Sequence, residues 1–77
     1  MNHEMYEAKK NFITRELLRM LQAACPEVKL LEYRIDSDRT DFEEIVTIRF
    51  IDGYVKRVDV TADGLLACAR DVLGALD

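Results

Sequence analysis

A chain of 77 residues, 49% apolar and 34% charged, has material for one small core and suits an ordered domain over residues 1–77 rather than a disordered segment. Its formal charge of −4 argues against a general basic face for nucleic acid or anionic lipid. No run approaches the roughly 20 apolar residues of a membrane span, and Glu4, Glu7, Lys9 and Lys10 break up any secretory leader. Cys25 and Cys68 are far apart and form no C-x-x-C pair. Reduced thiols and a cytoplasmic location are the expectation.

The first helix is expected from about Glu4 to Ala24. Tyr6, Ile13, Leu17, Met20, Leu21 and Ala24 make its apolar stripe, with Phe12 on the flank. Lys9, Lys10, Arg15, Glu16 and Arg19 fall mostly away from that stripe. Asn11 offers an alternative cap for a shorter helix, which would leave residues 1–11 as a mobile arm. Pro26 ends the helix, because the residue before a proline avoids the α region.

Three strand patterns follow. Val28 to Ile35 alternates, with Leu31, Tyr33 and Ile35 on one face and Leu30, Glu32 and Arg34 on the other. A polar loop runs from Asp36 to Asp41. Glu43 to Phe50 puts Val46, Ile48 and Phe50 opposite Ile45, Thr47 and Arg49. The third strand spans about Tyr54 to Val60. A two-residue Asp52-Gly53 turn would set Ile48 against Arg57 and Val46 against Asp59. A three-residue loop instead pairs Phe50 with Tyr54 and Val46 with Val58. That register predicts a type I turn with Gly53 left-handed in a G1 bulge.

The last helix has Leu65, Leu66, Ala69, Val72, Leu73 and Leu76 as its stripe, with Thr61 or Asp63 as its cap. The fold class expected is α+β. Its order is α-β-β-β-α, a three-stranded antiparallel meander with both helices packed on one face and the other face open.

Leu31-Glu32-Tyr33-Arg34 resembles the first-strand signature of the double-stranded RNA-binding domain, with Leu31 where proline is usual. Val46-Thr47-Ile48-Arg49-Phe50 and Asp52-Gly53 are similar to its second strand and hairpin. Ala67, Ala75 and Leu76 match positions of its last helix. The resemblance covers about Phe12 to Leu76. It implies three RNA contacts: a helix-one position that Glu16 would fill, a loop between strands one and two, and lysines opening the last helix. Here the loop reads Arg39-Thr40-Asp41-Phe42, without the family's glycine, proline and histidine. Gly64, Leu65 and Cys68 stand where the lysines would be, which removes the phosphate contacts that dominate affinity.

Two surfaces are candidates for a partner. The open sheet face should carry Leu30, Glu32, Arg34, Ile45, Thr47, Arg49, Val55, Arg57 and Asp59. Arginine with aliphatic groups suits a protein interface, and cross-strand charge pairing on a wet sheet is the bland reading. The outer side of the last helix has short side chains at Gly64, Ala67, Cys68, Asp71, Gly74 and Ala75. These suit close helix contact or self-association, or simply face solvent. Within these surfaces Arg34, Ile45, Arg49, Val55, Arg57, Gly64, Ala67, Cys68 and Asp71 are the candidate partner residues. Cys68 near a helix start could gain thiolate character, against a role as small apolar filler.

His3 has no second ligand at zinc spacing, and Asp36, Asp38 and Asp41 lack the glycine and terminal glutamate of a calcium loop. Neither a nucleophile–base–orienter set nor a phosphate loop occurs. The expectation is a non-catalytic module, without cofactor or small-molecule substrate, that binds protein, a homodimer included. The alternative is a divergent duplex-RNA binder using Arg15, Glu16, Arg19 and Lys56 or Arg57.

Overall fold

A computed structural model describes the backbone of residues 3–37 and 42–76 and the side chains of residues 6–36 and 43–76. The loop readings at Asp38, Arg39, Thr40 and Asp41 lie outside the described residues. So do those on the side chains of His3 and Phe42. The chain forms α1 (His3–Asn11), a π-helical segment (Phe12–Leu17), α2 (Leu18–Ala24), β1 (Val28–Ser37), β2 (Phe42–Phe50), β3 (Val55–Asp59) and α3 (Leu65–Gly74). The strands form one antiparallel sheet in the order β1-β2-β3. The expected α+β meander is therefore present.

The first helix is continuous through Asn11, whose φ of −64° and ψ of −41° are helical and whose side chain makes no cap. Asn11 is therefore inside the helix and is not its cap. The π segment explains which face is buried. Lys9, Ile13, Leu17 and Leu21 recur every four residues, and all four are buried. In an uninterrupted α-helix of 3.6 residues per turn that spacing would drift round the helix. A π turn takes up one extra residue, so the twelve steps from Lys9 to Leu21 behave as about eleven, close to three full turns. Met20 and Ala24, assigned to the stripe by α-periodicity, are exposed instead. The helix stops at Cys25, whose φ of −146° is the extended conformation that Pro26 imposes.

Leu31, Tyr33, Val46 and Ile48 supply the buried sheet face, and Ile13, Leu17, Leu21, Cys68, Ala69 and Val72 supply the helical layer above it. A bulge between Val28 and Leu30 lets Val28 as well as Leu31 turn inward. The β2–β3 hairpin has the register expected from parity: Val46 pairs with Val58, and Phe50 N–H donates to Tyr54 O. Gly53 is left-handed at φ +94°. Tyr54, paired with core-side Phe50, is 56% exposed, with its ring tilted against that of Phe50 at 5.6 Å.

α3 is rotated from the expected phase. Cys68 is fully buried, whereas Leu66 is 86% exposed. Its N-cap is Gly64, without a side-chain cap, so neither Thr61 nor Asp63 serves that role. Both helices run in the same sense. Lys9 reaches the carbonyl of Asp63 just before α3, and Lys56 reaches the carbonyl of Ala75 just after it.

Candidate interaction surface

The open face is set by the ladder. Across the three strands its rows read Leu30–Arg49–Val55, then Glu32–Thr47–Arg57, then Arg34–Ile45–Asp59. Alternation along each strand forces these side chains outward once Leu31, Tyr33, Val46 and Ile48 enter the core. Leu30, Ile45, Thr47 and Val55 are half-buried, while Glu32, Arg34, Arg49, Arg57 and Asp59 are exposed. A concavity of about 410 Å³ lies over this face, bordered by Glu32, Arg34, Ile45, Thr47, Arg49 and Arg57.

Most charges on the face are already matched. Arg34 grips Asp36 on its own strand through two hydrogen bonds of 3.1 and 3.0 Å. That contact raises the Arg34 pKa further above its ordinary value. Arg49 Nε donates to Glu32 across the ladder. Asp59 accepts from Thr61 N–H at 2.9 Å and from Thr61 Oγ1 at 2.6 Å, which holds its carboxyl below the usual range. Arg57 makes no ion pair among the described residues. Exposed pairs of this kind contribute little to stability, because solvent screens them. Their arrangement matters more to what the face can meet than to what holds it together.

The other predicted positions are scattered. Arg15, Glu16 and Arg19 are exposed on the first helix, on the side away from the sheet. Lys56 is committed elsewhere: it points to the helix side and its Nζ donates to Ala75 O at 2.6 Å. It satisfies an orphan carbonyl at the C-terminus of α3, where a cation also suits the dipole. Gly64 and Asp71 are exposed and Ala67 is half-buried, so the short-side-chain strip on α3 exists without Cys68. Burial pushes the Cys68 thiol up to about 11, opposite to the thiolate character expected from a helix start.

Sequence reasoning missed a buried polar cluster between α1 and the sheet. Lys9 is 8% exposed and Glu44 5%. Lys9 Nζ donates to Glu44 Oε1 at 2.8 Å, to Val60 O at 3.0 Å and to Asp63 O at 2.8 Å. Tyr33 Oη also donates to Glu44, and Ala62 N–H donates to its Oε2 at 2.8 Å. All three ammonium protons and both carboxylate oxygens are used. Burial raises the Glu44 carboxyl, but hydrogen bonds from Lys9, Tyr33 and Ala62 outweigh it and hold the pKa below its ordinary value. Tyr33 is pushed far above the phenol range, first by burial and then by Glu44. The signals were available: the four-residue spacing of Lys9 with Ile13, Leu17 and Leu21, and Glu44 sharing the parity of Val46. With all three ammonium protons and both carboxylate oxygens engaged, the cluster ties α1 to β2 and to the segment before α3.

No protein-family model, curated protein or solved structure matches the chain. No helix among the described residues is long and apolar enough to cross a membrane.

Proposed function

We propose that the chain is a small interaction module that docks a protein partner on the open face of its sheet and carries no catalysis of its own. The observation that carries the reading is the composition of that face. Half-buried Leu30, Ile45 and Val55 share the face with Arg34, Arg49 and Arg57, and Ile45 with the three arginines borders the concavity. Aliphatic groups ringed by arginine are the composition of protein contacts. No exposed aromatic lies among the face residues for base stacking, which disfavours a single-stranded nucleic acid. Cys25 and Cys68 are both free thiols, which fits a reducing, cytoplasmic setting.

The test is site-specific photocrosslinking in the native cell. A crosslinker at Ile45 or Arg57 should capture protein, and one at Arg15 or Arg19 should not. Capture only from the helix positions, or release of the adduct by ribonuclease, overturns the reading. The second outcome would favour the duplex-RNA alternative, for which Arg15, Glu16 and Arg19 are the exposed contacts that survive.

A further inference from the structure

The edge of β3 is a second, different feature. Val60 N–H donates to Glu44 O at 2.8 Å and Phe50 N–H to Tyr54 O at 2.9 Å. With Val46 opposite Val58, the even-numbered residues of β3 are those that exchange hydrogen bonds with β2. The backbone N–H and C=O groups of Val55, Arg57 and Asp59 therefore point out of the sheet. They have no partner among the described residues. The opposite edge is treated differently: β1 carries its bulge there, and Gln22 Nε2 donates to Val28 O at 3.2 Å. β3 has no bulge or proline to blunt its edge, and an open ladder is a template for another strand.

We infer that a second copy of this chain adds its β3 antiparallel to this edge, with Arg57 of each copy opposite Asp59 of the other. The inference goes beyond the interaction reading above, since it concerns the strand edge rather than the open face. Charge selects the register. Three antiparallel registers set two or more outward residues of each copy opposite one another within the strand. One sets Arg57 against its own copy, and a second sets Lys56 against its own copy. Like charges directly opposite are unfavourable. The third sets Arg57 against Asp59 twice and Val58 against Val58. Each copy brings what this register needs. Arg57 is without an ion pair, and Asp59 Oδ1 is taken by Thr61 while no bond occupies Oδ2. Charges on an edge strand commonly repel a second strand; here their order makes the edge complementary to itself.

The experiment is light scattering and amide hydrogen exchange on the full chain, from about 1 µM to about 500 µM. A dimer is expected, with the Arg57 and Asp59 amides protected as concentration rises and the exposed helix side unchanged. Arg57→Asp should weaken dimerisation roughly tenfold or more, and Arg57→Asp/Asp59→Arg should restore it. Thermal melts of each variant control for folding. A monomer throughout, or a dimer whose Arg57 and Asp59 amides exchange as in the monomer, overturns the inference; wild-type exchange decides this even if a variant misfolds. A monomer that still crosslinks protein from Ile45 would leave the interaction reading standing and remove only self-pairing.

Discussion

Removing one half of the Lys9–Glu44 pair leaves the other charge buried without its counter-ion. Glu44→Ala should therefore cost about 3–5 kcal/mol, most of the margin of a small domain. Lys9→Met should cost a similar amount: it leaves Glu44 with Tyr33 Oη and Ala62 N–H, as Glu44→Ala leaves Lys9 with the carbonyls of Val60 and Asp63. Urea titrations of the two variants would check this, and a loss confined to one of them would contradict it. The pair also sets an acid limit. The folded Glu44 pKa lies below its ordinary value of 4.5, so its contribution is complete above about that pH and is lost as pH falls through the folded value. The urea midpoint of the wild type should fall on acidification below pH 4.5, and Glu44→Gln should flatten that fall. Cysteine chemistry divides at the same scale. Cys25 is partly exposed and should label with a thiol reagent in the native state, while Cys68 should label only on unfolding. Equal rates would mean that α3 opens readily.

At the scale of elements, the π segment is a phase correction with a testable consequence. Deleting exposed Arg15 would leave eleven steps from Lys9 to Leu21, the spacing that a regular α-helix needs to keep both on one face. The deletion should yield a continuous α-helix and change stability by about 1 kcal/mol or less. A loss equal to that of Glu44→Ala would show that the π turn does more than set phase. The two helices also mark where the sequence was legible. The hairpin register could be read because a one-residue slip sets Arg57 and Asp59 against core positions, leaving one acceptable answer. The order of elements could be read because the spacing of apolar residues changes from helical to alternating and back. The buried cluster was missed because α-periodicity places Lys9 outside; its four-residue spacing with Ile13, Leu17 and Leu21 was the signal, and the π turn brings it in. The phase of α3 was misread for another reason. Leucine outweighs cysteine in any hydrophobic count, but small Cys68 and Ala69 let the helix sit close over the sheet, so they and Val72 set its rotation. Gly74 in the last turn of α3 meets nothing within 4 Å of an added Cβ, so Gly74→Ala should stabilise the fold by about 0.5–1 kcal/mol in thermal melts.

Across the whole molecule, cations are distributed in a way that bears on the duplex-RNA alternative. A duplex grip needs several cations at the start of the last helix and on the first helix, because each phosphate neutralised releases counter-ions. The start of α3 is instead acidic. The Asp63 carboxyl is raised, first by its hydrogen bond with the Asp71 carboxyl and then by burial. Gly64 and Leu65 bring no charge, and Cys68 is inside. Two lysines that a count of charge would credit to a binding face are spent internally, Lys9 on Glu44 and Lys56 on Ala75 O. Arg49 and Arg57 lie on the opposite side of the sheet from both helices, so they cannot join Arg15 and Arg19 on one duplex face. Fluorescence anisotropy with a duplex RNA should therefore show binding weaker than about 100 µM even near 50 mM salt, where phosphate contacts are strongest. Tighter binding that fell steeply with salt would restore the RNA reading. Arg15→Glu and Arg19→Glu would then place the contact, since neither side chain takes part in the core. Salt-independent weak binding would point away from phosphate altogether.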